Sequence, residues 1–190
     1  MSKSVRRQRE YLTPDEVDKL VSAAKTTSRN PVRDHAILLL MYRHGLRVSE
    51  LCQLKLSDVN LELAELYVNR LKGSDSGPHP LFGGEGAAIR AWLNERANMN
   101  VPEQVDSLFV SERRRPISRF TIFVMIEKLA VAAGLERLDV HPHSLRHSCG
   151  YSLVNRGTDI RVIQSYLGHR SISSTVRYTK LNHKQFAKLF

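Results

Sequence analysis

The sequence predicts a mainly α-helical protein with one small antiparallel β-sheet, an α+β class. Three observations carry that expectation. Most of the 190 residues place apolar side chains at helical spacing, in segments opened by capping residues and closed by glycine. Only one stretch, residues 61–70, alternates like a strand, and the turn-rich run Lys72-Gly-Ser-Asp-Ser-Gly-Pro-His follows it at once.

Each element can be justified in turn. Residues 1–11 are basic and lack apolar periodicity, so they read as an arm, and residues 12–190 as the domain. Thr13-Pro14-Asp15-Glu16 supplies an N-cap, a proline at the first helical position and two first-turn acids. Val17, Leu20, Val21 and Ala24 continue at helical spacing. A second helix is expected over about 32–44, ended by Gly45, and a short one from Val48 to Leu56. In the expected strand 61–70, Leu61, Leu63, Leu66 and Val68 are the apolar members, with residues 80–82 as the returning partner. Glu85 opens another helix through Ile89, Trp92 and Leu93. Residues 107–110 read as a short strand before the basic turn 112–116. Helices are then expected at about 118–133, 142–156, 160–166 and 172–177, with Gly134, Gly157 and Gly168 as terminators.

Composition narrows the function. With 42% hydrophobic and 25% charged residues the chain can bury an ordinary core, and its length fits one domain. Lys and Arg number 29 against 19 Asp and Glu, a formal net charge of +10, which favours a polyanionic partner, nucleic acid above all. A merely basic, solvated surface is the alternative. Cys52 and Cys149 are too few for a disulfide framework or a four-cysteine zinc site, and read as buried free thiols of a reducing compartment. The basic N-terminus has no apolar run after it to make a secretory signal, and no run approaches the ~20 residues that span a bilayer. A soluble, cytoplasmic protein without membrane partners is expected.

Four stretches bear candidate chemistry. In Gly45-Leu-Arg47-Val-Ser-Glu50-Leu, Arg47 and Glu50 share a helix face, as an ordinary surface ion pair would. The adjoining Arg43-His44-Gly45 matches the short signature of histidine phosphatases, which requires a preceding strand. Lys72 sits at a hairpin tip, a position usually just solvated. His141, His143 and His147 fall within seven residues, which fits a metal site, a capping or core histidine, or a surface cluster. Arg146 between them suits a phosphate better than a cation. Finally, Leu167-Gly168-His169 precedes Tyr178 by nine residues, counted from His169.

In order and spacing these stretches resemble the catalytic domain of the tyrosine recombinases, the phage integrase family, over roughly residues 12–180. Arg47 corresponds to the family's first arginine, Glu50 to its nearby acid and Lys72 to its hairpin lysine. His143 and Arg146 correspond to the His-x-x-Arg box, His169 to the Leu-Gly-His box and Tyr178 to the nucleophile. The runs HPHSLRHSCG, NRGTDIRVIQSYLGHRSI and TVRYT look most like the small DNA invertases that flip fimbrial promoter elements in enteric bacteria. Those consist of little more than the catalytic domain. A separate N-terminal clamping domain is absent from this reading, and the arm Lys3–Arg9 is expected to do part of its work.

The resemblance implies transesterification at a DNA phosphodiester without metal or nucleotide cofactor. Tyr178 attacks phosphorus and forms a 3′-phosphotyrosine that conserves the bond energy, so rejoining needs no ATP. Arg47 and Arg146 stabilise charge on the nonbridging oxygens; His143 and His169 add hydrogen bonds, and His143 is expected to accept the phenol proton. A positive pocket should favour the Tyr178 phenolate. Lys72 is the expected general acid for the leaving 5′-oxygen, and Glu50 the buttress of Arg47 or His147. Phosphate contacts are expected from Arg6, Arg7, Arg113, Arg114, Arg115, Arg119 and Lys128, with the helix beginning near Ser118 in the major groove. The implied partners are double-stranded DNA with inverted-repeat sites, three further protomers in a DNA-bound homotetramer, and accessory DNA-bending proteins, in a bacterial nucleoid. Two rivals share much of this reading: a type IB topoisomerase, and a non-catalytic DNA-binding regulator of the same fold. An intact set of six active-site residues argues against the regulator.

Overall fold

The computed structural model describes residues 9–71 and 74–179. The expected arginines Arg6 and Arg7, and the expected lysine Lys72, lie outside them. The described chain is helical with one three-stranded antiparallel sheet. The elements are α1 (Pro14–Thr27), α2 (Pro31–Arg43), α3 (Val48–Gln53), a 3₁₀ turn (Leu56–Asp58), β1 (Val59–Asn60), β2 (Glu65–Val68), β3 (Gly77–Pro80), α4 (Glu85–Ala97), α5 (Arg119–Ala132), α6 (Pro142–Asn155), α7 (Ile160–Leu167) and α8 (Ser173–Val176).

Local chemistry sets the helix boundaries. Thr13 and Glu16 form a reciprocal capping box at the start of α1, the Glu16 carboxylate accepting from the Thr13 N–H at 2.7 Å. Ser118 caps α5 by accepting from the Thr121 N–H at 3.1 Å, and Asp159 caps α7. Gly168 ends α7 in the left-handed region, at φ 63°.

α2 is the central helix, with α1, α4 and α6 packed around it, and five of its residues, Ala36, Ile37, Leu38, Leu40 and Met41, fully buried. The main core runs from α1 through α2 to Trp92 and Phe109, whose rings stack at 6.1 Å. The Trp92 indole N–H donates to the Leu108 carbonyl at 2.8 Å, satisfying its one polar atom. A second, smaller cluster joins Cys149, Val154, Ile163, Leu167 and Tyr178 between α6, α7 and α8.

The sheet departs from expectation. Residues 61–70 are not one strand. The Asn60 side chain accepts from the backbone N–H groups of Glu62 and Leu63 and closes a turn, with Ala64 at φ 52°, so β1 and β2 form a tight hairpin. Leu63 at the turn is 67% exposed, whereas Leu66 and Val68 on β2 face the core. The returning strand comes earlier than expected, with Leu66 opposite His79 and Val68 opposite Gly77. It is an edge strand, which tolerates Pro78 and Pro80. Residues 107–110 make only isolated bridges, Lys55 to Ser107 and Val110 to Pro116. Three consecutive side chains there, Leu108, Phe109 and Val110, are all buried, so no face alternates.

Gly45 joins the two cores. It follows α2 at φ 56°, and a Cβ there would lie 2.3 Å from Leu167 Cδ2 and 3.4 Å from Cys149 Sγ. Gly45→Ala is expected to destabilise the fold by about 2–4 kcal/mol, combining left-handed strain with overpacking. Gly134→Ala, at φ 69° with open space around its Cβ, should lose only about 1 kcal/mol. Urea unfolding of the two variants distinguishes the contributions; equal losses would show that the close approach to Leu167 is relieved at no cost.

Candidate active site

Glu50 is the centre of the site. It stands three residues into the turn that begins at Arg47, and accepts from the Arg47 backbone N–H at 2.9 Å and from its guanidinium at 2.5 Å. The guanidinium of Arg47 is on Oε1; Oε2, which takes the Arg47 N–H, also accepts from Arg70 Nη1 at 2.8 Å, and Arg146 Nη1 lies 3.9 Å from it. Burial opposes the Glu50 charge, but the Arg47 N–H and the charges of Arg70 and Arg47 outweigh it and hold the carboxyl below the usual range. One buried carboxylate thus gathers three arginines from α3, the end of β2 and α6.

The same three arginines clasp the C-terminal end of α7. Arg70 donates to the Tyr166 carbonyl, Arg146 to that of Leu167 at 2.5 Å, and Arg47 to that of Gly168 at 3.1 Å. These are carbonyls that a helix end leaves without intrahelical partners, at the negative pole of its dipole. Ser74 Oγ donates to the Gly168 carbonyl as well, at 2.8 Å. A side chain at Gly168 would crowd Arg70: a Cβ would stand 3.0 Å from its Cδ and Cγ, on a left-handed backbone. Arg146 reaches back to the Gly45 carbonyl at 2.5 Å, and its own burial, then repulsion from Arg47 and Arg70, lower its pKa to about 10.

Tyr178 lies beside this pocket, 1% exposed, with its ring packed on Gly150, where a Cβ would come within 2.6 Å of Cε2. Its hydroxyl meets His147 Nδ1 at 3.1 Å. Burial pushes the phenol up to about 12, although the charges of Arg146 and Arg177 pull it down. The expected net lowering of this pKa is therefore not found, because burial outweighs the neighbouring charges. Burial, then Arg177, sends His147 down to about 3, so the ring is neutral and can accept from the phenol. His147, rather than the exposed His143, is the hydroxyl's partner, and the two histidine rings meet edge-on at 4.8 Å. Partial burial and Arg146 lower His143 as well.

His169 is oriented by Thr175, whose Oγ1 lies 2.9 Å from Nδ1. With the hydroxyl donating, the neutral ring keeps its proton on Nε2, free to donate to an anion. Burial, then Arg146 and Arg47, lower its pKa to about 4. His141 caps α6, its Nδ1 accepting from the His143 N–H at 3.1 Å. Among the described residues no group of three His, Cys, Asp or Glu is arranged to hold a metal ion.

The expected residues Arg47, Glu50, His143, Arg146, His147, His169 and Tyr178 fall together on α3, α6 and the α7–α8 segment. Glu50 holds Arg47 as expected, but its second strong partner is Arg70, not His147. Arg43-His44 lies at the end of helix α2, with no strand before it. His44 is fully buried, its Nε2 3.1 Å from Glu85 Oε1, beside His79 and Tyr166, so a phosphatase-type reading fails on geometry. Burial, then Arg70, push His79 down to about 3. Neither Arg70 nor this histidine cluster is legible from sequence, because both depend on β2 and β3 meeting α2 and α7. The thiol of buried Cys149 is raised to about 12 and that of half-buried Cys52 to about 11, both by burial.

The remaining basic candidates lie apart from this pocket. Arg113, Arg114, Arg115, Arg119 and Lys128 are all exposed. Arg113, Arg115 and Lys128 line a groove of about 860 Å³ at the start of α5, with Arg29 and Phe120. At the other end of the chain, Arg177 pairs with Glu10, and the Tyr11 ring packs at a tilt on Tyr151, centroids 3.9 Å apart, which seats the beginning of the described chain against α6 and α8. No helix among the described residues is long and apolar enough to cross a membrane.

Comparison with known proteins agrees with the geometry. The model of the phage integrase family matches residues 10–185. The type 1 fimbriae regulatory protein FimE of Escherichia coli K12 is 42% identical over 183 residues, covering 96% of this chain and 91% of FimE. Tyrosine recombinase XerA of Pyrococcus horikoshii is 42% identical over 176 residues, 91% of this chain and 57% of XerA. A crystal structure of XerA recombinase superposes with a TM-score of 0.81 at 36% identity, over 94% of this chain and 62% of that one.

The buried histidines give the site a defined pH response. Folded His79, His147 and His169 take up protons only far below the 6.5 of free imidazole. Between those values the unfolded chain binds more protons, so stability is complete above about pH 6.5 and declines as pH falls toward 4. Melting temperature measured across that range should drop, and His79→Gln should flatten the slope. An unchanged slope would mean that His79 is protonated in the fold.

Proposed function

This chain belongs to the phage integrase family, the tyrosine recombinases, and we propose that it is a site-specific DNA recombinase that inverts a fimbrial promoter element. The observation that carries this reading is the arginine pocket around Glu50 with the Tyr178 hydroxyl on His147 beside it. Two forked donors, Arg47 and Arg146, can meet the nonbridging oxygens of one phosphodiester, and His169 adds a third donor. The kinship with FimE supports the fimbrial element as target.

The reaction follows from these groups. Tyr178 Oη attacks phosphorus as its proton passes to His147, the ring in contact with it, in place of the exposed His143. The bond from phosphorus to the 5′-oxygen breaks, and Lys72 gives that oxygen its proton, leaving a 5′-hydroxyl and a 3′-phosphotyrosine. The reverse attack by a 5′-hydroxyl of the partner strand releases Tyr178 and rejoins DNA at no cost in ATP. His143 and His169 serve the nonbridging oxygens.

Residues 12–190 form the catalytic domain in this reading, and the arm 1–11, with Arg6 and Arg7, contacts DNA backbone. Arg113, Arg114, Arg115 and Lys128 track phosphates, and α5 lies in the major groove with Arg119 suited to guanine. Four protomers act on two paired inverted-repeat sites, in the bacterial cytoplasm, with DNA-bending proteins assisting. Binding should weaken steeply with salt.

Trapping the covalent adduct tests the reading directly. Nicked DNA from around the protein's own gene is incubated with the protein, and the attachment is mapped by mass spectrometry. Wild type should give an adduct on Tyr178 at one discrete position. Tyr178→Phe should bind the same DNA within about twofold, since one hydroxyl adds nothing to phosphate contacts, and give no adduct. An adduct formed by that variant would remove Tyr178 from its role; tight binding without any wild-type adduct would favour a regulator. EDTA should leave adduct yield unchanged, whereas a loss restored by added metal would place a metal ion in the reaction.

A further inference from the structure

Arg70 is the buried charge that the reaction as described does not use. Its side chain is 1% exposed, as deeply set as that of Arg146 at 2%. It takes Glu50 Oε2 at 2.8 Å, while Arg146 stays 3.9 Å from the same atom. Its Nη2 donates to the carbonyls of His44, at 3.0 Å, and Tyr166. The carboxylate that Arg47 holds on Oε1 is thereby shared with a third arginine on Oε2.

The charge count shows what that arrangement does. Arg47, Arg70 and Arg146 contribute three positive charges and Glu50 one negative, so the cluster holds +2 (3 − 1). Without Arg70 the sum is +1, and Glu50 is free to pair with Arg146. We propose that Arg70 is a positioning residue of the recombinase: by sharing Glu50 with Arg47 it offsets that carboxylate, leaves Arg146 without a close counter-charge and keeps the cluster at +2 for the transition-state phosphate. This rests on the proposed strand-cleavage reaction.

Two variants read on two substrates separate charge from packing. Arg70→Lys keeps the positive charge and Arg70→Gln does not; both are shorter than arginine, so the comparison of substrates within each variant isolates the charge. Single-turnover cleavage is measured on the mapped site, with an ordinary scissile phosphodiester and with a scissile methylphosphonate, in which one nonbridging oxygen is replaced by methyl. The methylphosphonate carries one negative charge less and so needs less positive charge opposite it. Arg70→Lys should cleave the phosphodiester within about tenfold of wild type and Arg70→Gln about 100-fold more slowly, the scale of losing one transition-state donor. On methylphosphonate DNA the Gln deficit should shrink below about tenfold. Equal deficits for Lys and Gln, or the same Gln deficit on both substrates, would overturn the charge role and leave Arg70 as a strut for α7. Absence of a Tyr178 adduct with wild type would instead overturn the proposed reaction, and this role with it.

Discussion

The structure depends on one buried carboxylate among three arginines. Like charges about 4 Å apart repel by about 4 kcal/mol at an effective dielectric constant of about 20, so such a cluster does not assemble unaided. Glu50 supplies the counter-charge from inside, and the exposed carbonyl end of α7 supplies the rest. Two dissimilar negative features, a side chain and a helix terminus, hold the guanidiniums in fixed directions. What they leave unsatisfied is net positive charge beside Tyr178, which is the complement of a phosphate gaining negative charge in the proposed reaction.

That constraint explains features of the fold remote from chemistry. Gly45 and Gly168 both take left-handed backbone, and both lie where a Cβ would strike a neighbour, Leu167 in one case and Arg70 in the other. They let the end of α2 and the end of α7 approach closely enough for Arg146 to bridge their carbonyls. The early turn at residues 61–64 has a similar consequence. By folding β1 onto β2 it brings Arg70, just beyond β2, under the α7 terminus instead of out along an extended strand.

The tyrosine beside the cluster is held by a different balance. Tyr178 is packed against Gly150 and Tyr151 in the smaller core, and its hydroxyl is satisfied by a histidine kept neutral by burial. Desolvation outweighs the nearby arginines, and the phenol stays protonated.

Much of this was legible in the chain. Arg47, Glu50, Arg146, His169 and Tyr178 stand in short motifs whose spacing is set by single helical turns, and local geometry carries such motifs intact into the fold. Capping residues and glycines placed the helices for the same reason: their energetics are local. The hairpin was misread because an Asn60 turn interrupts an alternation that remains apolar on either side. The contact of the phenol with His147 rather than His143 was not legible, because neighbours on one helix differ in exposure only once the helix is packed. Arg70, His44, His79 and Glu85 lie far apart in sequence from what they touch. By itself, then, the sequence determined the class of fold, the family and the chemical residue types. Tertiary structure alone decided which arginine neutralises Glu50, which histidine meets Tyr178 and which groups lose their water, because charge pairing and desolvation are set by distance through space rather than along the chain.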